Sequence, residues 1–111
     1  MTLPDFIRAF PAIDLPLPES KVTTHAMRTD KGLAVFFCIH EDIELPEHSH
    51  GAQWGTVVEG SVTLTMNGET RTYGPGETYD IPAGTLHAVK VPAGSVLIDL
   101  FAEPDRYALK A

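Results

Sequence analysis

Apolar and polar residues alternate along this chain in short stretches that turn residues separate. The stretch VTLTM (62–66) alternates apolar residues with threonine, which is typical of a half-buried strand. Asn67-Gly68 follows, a strong two-residue hairpin signal, and ETRTY (69–73) then forms the returning strand. Roughly eight or nine such stretches, with turns every 8–12 residues, predict an all-β sandwich or barrel.

The two ends of the chain depart from this pattern. Segments 4–10 and 104–110 both begin with Pro-Asp and are candidates for short helices. The proline-rich segment 11–20 is expected to be an extended arm, of the kind that often lies across a neighbouring chain in small β proteins. We therefore predict a single domain over residues 1–111 with three parts: an N-terminal arm (1–20), a β-barrel (21–101) and a C-terminal tail (102–111).

Composition excludes several classes of protein. With 111 residues the chain is one domain, and 43% hydrophobic with 21% charged residues is ordinary for a globular protein. The formal charge of −7 and the scattered basic residues argue against binding nucleic acid. No apolar run approaches the roughly 20 residues that span a bilayer, and we recognise no signal peptide, so the cytoplasm is the expected compartment. Cys38 is the only cysteine, which excludes an internal disulfide.

Three of the histidines are candidate metal ligands. His48 and His50 are two residues apart, and residues two apart in a strand point to the same side. Imidazole is the commonest protein ligand for transition metals, and a third ligand would have to come from another strand. His87 is the candidate, because Val89 and Val91 share its strand face and should point inward. On this pattern alone, a pair of exposed or hydrogen-bonded edge histidines remains an equal alternative.

Two motifs in this region resemble those of the cupin superfamily. The first cupin motif joins His-x-His through three or four residues to a glutamate, and six further residues separate that glutamate from a glycine. The second is a glycine, five residues, then Pro-x-Gly, two more residues and a histidine. The matching positions here are His48, His50, Gln53 and Gly60 for the first motif, and Gly76, Pro82, Gly84 and His87 for the second.

This chain departs from the family pattern at two positions. Gln53 replaces the motif glutamate, which in cupins is usually the fourth metal ligand, and it follows His50 more closely than in the family motif. Val91 stands where the second motif often has asparagine. A glutamine carbonyl oxygen can coordinate a metal but carries no charge, so the resemblance leaves open whether Gln53 is a ligand or a hydrogen-bonding neighbour.

The resemblance implies a cupin jelly-roll barrel with short helical or irregular termini, and a divalent transition metal (Fe, Zn, Ni or Mn) bound inside it. His48, His50 and His87 would bind the metal, with Gln53 assisting. Because neutral ligands leave the full +2 charge, we expect a small-molecule ligand that is anionic.

Tyr79 is a candidate catalytic residue whose hydroxyl could orient the substrate or act as an acid. Trp54 is a candidate pocket residue, although ordinary packing is the commoner role for a tryptophan.

Cupins include oxygenases, isomerases, decarboxylases and sensor domains, so the resemblance favours a metal site more than any one reaction. A non-haem oxygenase or a related Lewis-acid enzyme is the leading interpretation. A non-catalytic sensor or binding module is the alternative, and a metal-free sugar- or acid-binding pocket is a third. A homodimer is expected, since small cupins usually pair and an exposed sheet edge favours pairing.

Overall fold

The computed structural model describes residues 1–110 and is built from two antiparallel sheets with one short helix. The elements are α1 (Asp5–Arg8), β1 (Val22–Thr29), β2 (Gly32–Ile39), β3 (Ile43–His48), β4 (Gln53–Glu59), β5 (Val62–Met66), β6 (Glu69–Tyr73), β7 (Thr78–Ile81), β8 (His87–Val91) and β9 (Val96–Phe101). The five-stranded sheet has the order β1-β2-β9-β4-β7, and the four-stranded sheet the order β3-β8-β5-β6. The predicted all-β jelly roll of the cupin type is confirmed.

The predicted hairpin joins β5 to β6. Asn67 and Gly68 have φ values of 53° and 74°, the left-handed conformation that a tight hairpin turn requires and that Asn-Gly tolerates. Val62 pairs with Tyr73 and Met66 with Glu69, so the two strands are in register along their full lengths. The turn chemistry that the sequence shows therefore fixes this edge of the four-stranded sheet.

The core lies between the two sheets and follows the alternation of each strand. In β8, His87 and Val91 are buried and Val89 packs against the core, as the pattern of that strand predicts. In β2 the inward residues are Phe37 and Ile39, which line the interior. The sheets therefore present their apolar faces to each other, as in a β-sandwich or barrel.

The N-terminal arm packs on its own chain. Ile13 is 2% exposed, its backbone N–H donates to the Thr24 hydroxyl, and it forms an isolated bridge with Leu109. Leu15 and Leu17 reach the interior and pack against the core. The arm therefore covers the domain to which it belongs, and it is not extended throughout, since residues 16–17 form a bend and residues 19–20 lie in a turn.

Of the helical and irregular alternatives for the termini, the C-terminal segment takes the irregular one. Residues 104–110 are irregular and end in an extended stretch that pairs with the arm: Asp14 N–H donates to the Ala108 carbonyl, and Lys110 N–H to the Ala12 carbonyl. An extended tail can donate and accept these hydrogen bonds, whereas a helix would use the same groups internally. The N-terminal helix is present, but it is only four residues long. No helix over residues 1–110 is long and apolar enough to cross a membrane.

Candidate metal centre

Three histidines meet at one end of the barrel, carried there by two neighbouring strands and by the irregular segment that follows one of them. His48 is the last residue of β3 and pairs with His87, the first residue of β8, after an irregularity that follows Leu45. His50 lies beyond the end of β3, and its carbonyl accepts a hydrogen bond from Gly84 N–H at 2.8 Å. The end of β3 therefore brings His48 to the site, and the irregular segment after β3 brings His50.

The imidazoles are close enough to share one ion. One nitrogen from each of His48, His50 and His87 lies within 4.8 Å of the others. Ring centroids are separated by 4.3 Å for His48 and His87, 4.9 Å for His50 and His87, and 5.4 Å for His48 and His50. Three nitrogens about 2.0–2.1 Å from a metal would lie at such mutual distances, so the cluster could hold a divalent metal.

Hydrogen bonds fix which ring nitrogen is available. Nδ1 of His48 lies 2.9 Å from the Pro46 carbonyl, Nδ1 of His50 lies 2.8 Å from the Gly51 carbonyl, and Nδ1 of His87 lies 2.8 Å from the Thr85 carbonyl. A carbonyl oxygen only accepts, so each Nδ1 carries the proton. In a neutral imidazole, Nε2 then has its lone pair free, which is the state that a metal needs.

The environment also favours neutral imidazoles. Burial lowers the pKa of both His50 and His87, and the positive charge of Arg106 and the neighbouring histidines lower each pKa further. The hydrogen bonds to backbone carbonyls act in the opposite direction on the same pKa values. The net direction is downward for both residues, so these rings resist protonation and keep a nitrogen lone pair.

A second polar cluster centres on Asp99, which the sequence predictions above do not include. The Asp99 side chain is 4% exposed, and its Oδ1 accepts hydrogen bonds from the Tyr79 hydroxyl at 2.6 Å and from Gln53 Nε2 at 3.0 Å. Burial raises the pKa of Asp99 to about 6, although both hydrogen bonds oppose the rise. Burial and the nearby carboxylate raise the pKa of Tyr79. The cluster therefore places a titratable carboxyl beside a phenol that stays protonated.

Gly55 makes room for this cluster. It lies on β4 between the strands that carry Asp99 and Tyr79, and it pairs with both residues. A Cβ atom built at this position would clash with Asp99 Oδ1 and with the Tyr79 ring. Only glycine therefore fits opposite the hydrogen bond between these two side chains.

Both clusters open into one interior cavity of about 370 Å³. The three histidines, Gln53, Tyr79 and Asp99 all line it. Arg106, from the C-terminal tail, also lines it and lies over the Tyr107 ring with its guanidinium carbon 4.4 Å from the centroid. The buried Nε atom of Arg106 has no hydrogen-bond partner among residues 1–110. A buried donor of this kind is suited to an acceptor that comes from a ligand.

The remaining predicted site residues fall in different places. Gln53 lines the cavity and donates to Asp99, an arrangement that leaves its carbonyl oxygen as the acceptor; whether that oxygen coordinates a metal stays a prediction. Tyr79 is in the cavity, as its proposed role requires. Trp54, predicted as a pocket residue, lies outside the cavity. It is adjacent to inward-facing Gln53, so it projects from the opposite face of β4, where it is 42% exposed, and it is not among the described residues that line the cavity.

Asp99 and Arg106 line the cavity but were not predicted as site residues, and the sequence signals for the two differ in strength. Asp99 interrupts the otherwise apolar stretch VLIDLF (96–101), and in a strand it shares its face with Leu97 and Phe101. An acid on the inner face of a buried strand is unusual enough to be a signal. Arg106 belongs to an irregular tail, and nothing in the local sequence indicates where its side chain goes.

Comparisons with known proteins agree with the fold. The model of the Cupin domain family matches residues 35–99, which is more than half of the chain. Mannose-1-phosphate guanylyltransferase ManC of Salmonella typhimurium is 35% identical over 60 residues, which are 54% of this chain and 12% of that protein. The chain therefore spans only a small part of the length of that relative.

Solved structures of cupins share this fold over most of the chain. KdgF from Halomonas sp. superposes with a TM-score of 0.72 at 25% identity, covering 88% of this chain and 94% of that one. An RmlC-like cupin from Shewanella frigidimarina gives a TM-score of 0.72 at 23% identity, with 86% of both chains covered. A variant of oxalate decarboxylase from Bacillus subtilis gives 0.69 at 16% identity, covering 86% of this chain and 28% of that one. With its two motifs, its jelly roll and its three clustered histidines, the chain belongs to the cupin family.

Proposed function

We propose that this protein is a metal-dependent enzyme that binds one divalent transition metal and catalyses proton transfer on a small anionic substrate inside the barrel. His48, His50 and His87 hold the metal, and Asp99 transfers the proton. The relatives do not select a reaction, because their names include a guanylyltransferase and a decarboxylase. The proposal therefore depends on the geometry of the cavity.

The observation that carries the proposal is the common orientation of the three imidazoles. Each ring uses Nδ1–H on a backbone carbonyl, at 2.8–2.9 Å, and keeps Nε2 for a ligand. An edge histidine that only stabilises the fold has no need to meet two others within 4.8 Å with every Nδ1 held by a backbone carbonyl. Like the orienting hydrogen bonds found at metal sites, these bonds fix both tautomer and ring direction.

When bound, a divalent metal would act as a Lewis acid that polarises a substrate oxygen, with coordination positions left open by the small number of protein ligands. Arg106 would pair with an anionic group of the substrate through the buried Nε that lacks a partner. Asp99 would accept a proton from the polarised substrate and return it, while Tyr79 and Gln53 hold the carboxylate in place.

The Asp99 cluster favours proton transfer over oxygenase chemistry. Reaction with oxygen needs open metal positions, but it does not need a buried carboxyl held by two donors in the same cavity. Proton transfer next to a carbonyl needs such a group within reach of the substrate. A non-catalytic sensor or binding module would use the cavity without turnover, and activity measurements separate the three interpretations.

The test is deuterium exchange from solvent into acetylacetone, pyruvate and 2-oxohexanoate, followed by proton NMR with Zn²⁺- or Mn²⁺-loaded protein. We expect exchange above the rate of the metal-free protein for at least one compound. We also expect Asp99→Asn to lower this rate by about 10²- to 10⁴-fold, the usual contribution of a positioned acid–base group. Metal affinity should stay within about threefold, because Asp99 is not a member of the three-histidine group.

Asp80→Asn is the matched control. Asp80 follows Tyr79 in β7, but its side chain is exposed, so the same substitution is made outside the cavity. It should exchange at the wild-type rate. Oxygen uptake by the Fe²⁺-loaded protein with catechol or mercaptopropionate, without any deuterium exchange, would replace the proposal with an oxygenase. Tight binding of a compound without either reaction would replace it with a binding module.

We also propose that the chain forms a homodimer, as the resemblance implies. The outer face of the five-stranded sheet carries Met27, Leu100 and Trp54, which are 42–50% exposed and lie in one row across paired strands. A partner covering this row would bury apolar surface that water now contacts. Light scattering of the wild type should give twice the monomer mass. Trp54→Glu should lower the measured mass towards that of the monomer. A monomer mass for the wild type would overturn the proposal.

A further inference from the structure

The cavity is polar at only one end, and the change from polar to apolar follows the strand register. On the four-stranded sheet the first row of inward residues is His48 and His87. The next row is Leu45, Val89 and Leu64.

The row below that is Ile43 and Val91, with Val62 adjacent on β5. At about 3.3 Å per residue, the third row lies about 13 Å along the strand from the histidines.

The opposite sheet shows the same gradient. On β9, Asp99 belongs to the polar end, and Leu97, two residues earlier on the same face, lines the apolar part together with Phe37 of the paired strand β2. Leu15 and Leu17 of the arm close the same part of the cavity. Both sheets therefore place titratable groups in one layer and only hydrocarbon in the deeper layers.

A hydroxylated substrate would be poorly matched to the deeper layers. Apart from the polar end, the described lining residues are aliphatic or phenylalanine side chains, and the strand backbones that carry them are already paired in the sheets. A buried hydroxyl without a partner lowers affinity by about ten- to hundredfold. An unsubstituted hydrocarbon gains instead, because each buried methylene contributes about fourfold in affinity.

The polar end suits a compact anionic head. Arg106 presents its unpartnered Nε there, and the histidines meet within 4.8 Å in the same region. A carboxylate with an adjacent carbonyl oxygen would use both features: the metal through two oxygens, and the guanidinium through one. Arg106 is the one arginine or lysine among the lining residues of the described chain, so the guanidinium marks where a carboxylate head would bind.

From these two ends we infer that the substrate is an amphipathic acid, with a carboxylate head next to a carbonyl or hydroxyl oxygen and a hydrocarbon body without further polar groups. The inference rests on the proposed function, since the head is placed by the metal. It goes further because it selects aliphatic or aryl 2-oxo and 2-hydroxy acids and excludes sugar acids, whose hydroxyls would enter the apolar layers.

Calorimetry of the Zn²⁺-loaded protein with three acids tests this. We expect 2-oxohexanoate to bind about 10- to 60-fold more tightly than pyruvate, because three more methylenes are buried. We expect 2-oxogluconate, which has the same chain length but carries hydroxyls, to bind no more tightly than pyruvate. Equal affinities for pyruvate and 2-oxohexanoate, tighter binding of 2-oxogluconate, or binding of none of the acids would overturn the inference.

A variant that fills the second layer locates the hydrocarbon. Val89→Phe should remove the preference for 2-oxohexanoate and leave the affinities for Zn²⁺ and pyruvate within about threefold. Should this variant fail to fold, Leu64→Ala widens the same layer and should shift the optimum towards 2-oxooctanoate. An unchanged preference in a folded variant would overturn the inference. Failure of the wild type to bind Zn²⁺ would instead refute the proposed function, so the two failures are distinguishable.

Discussion

The three-histidine cluster and the Asp99 cluster face the same cavity, but they use their hydrogen bonds in opposite ways. Each histidine donates its N–H to a backbone carbonyl and leaves a lone pair unused. Asp99, Tyr79 and Gln53 instead satisfy one another, with two donors on one carboxylate oxygen. The first arrangement is incomplete without a ligand, whereas the second is complete in the protein alone. The histidines are therefore arranged for binding, and Asp99 is arranged to stay in place while its protonation changes.

The largest difference between the clusters should appear in metal affinity. His50→Ala removes one of three ligands, and each ligand of a protein zinc site contributes about 3 kcal/mol, so we expect zinc affinity to fall by about 10²-fold. Competition with a chromophoric chelator measures it. His40→Ala is the control, because His40 pairs with Thr23 on an exposed surface and should bind zinc as the wild type does. Wild-type affinity in the His50 variant would contradict the comparison.

A smaller difference should appear in how stability depends on pH. In the folded protein the pKa of Asp99 is raised to about 6 from its ordinary value of 3.8. The unfolded chain therefore loses this proton at lower pH, and folding becomes less favourable as pH rises from about 4 through 6. Relative to Asp99→Asn, the metal-free wild type should lose about 2–3 kcal/mol of unfolding free energy over this range.

Urea unfolding at pH 4, 5, 6 and 7 measures this change. The histidines have lowered pKa values and act with the opposite sign, but they are present in both proteins and cancel in the difference. If the unfolding free energies of the two proteins differ by the same amount at all four pH values, Asp99 has an ordinary pKa, and burial does not raise the pKa of this carboxyl.

The smallest effect should follow from crowding the Asp99 cluster alone. Gly55→Ala places a methyl group against Asp99 Oδ1 and the Tyr79 ring, and overpacking of this kind costs about 1–3 kcal/mol. Gly74→Ala is the control, because a Cβ at that position meets nothing closer than 3.7 Å. Urea unfolding should separate the two variants, while zinc affinity stays within about twofold in both. Equal stability of the two variants would mean that the cluster tolerates displacement.

The two clusters also differ in how far the sequence predicts them. His48, His50 and His87 fall at fixed spacings around turns, and β3 and β8 pair so that His48 faces His87. Local periodicity and turn chemistry predict the strands that carry this site, and the resemblance to the two cupin motifs selects the three histidines as ligands. The sequence places His50 in a strand, whereas it lies in the irregular segment between β3 and β4, and its ring still meets those of His48 and His87.

The Asp99 cluster depends on contacts that no local pattern contains. Gln53, Tyr79 and Asp99 come from β4, β7 and β9, and their meeting depends on the strand order β9-β4-β7. Arg106 depends on the path of an irregular tail, which pairs with the arm and does not form the helix that its Pro-Asp start predicts. Strand order and tail packing are decided by the whole core, so residues that depend on them could not be assigned from spacing alone.

The most direct measurement is nitrogen-15 NMR of the imidazole rings, with and without one equivalent of Zn²⁺ at pH 7.5. In the metal-free protein, each of His48, His50 and His87 should carry a proton on Nδ1, and Zn²⁺ should shift all three Nε2 signals together. Rings that carry the proton on Nε2, or Nε2 signals that Zn²⁺ leaves unchanged, would contradict a metal centre formed by these three residues.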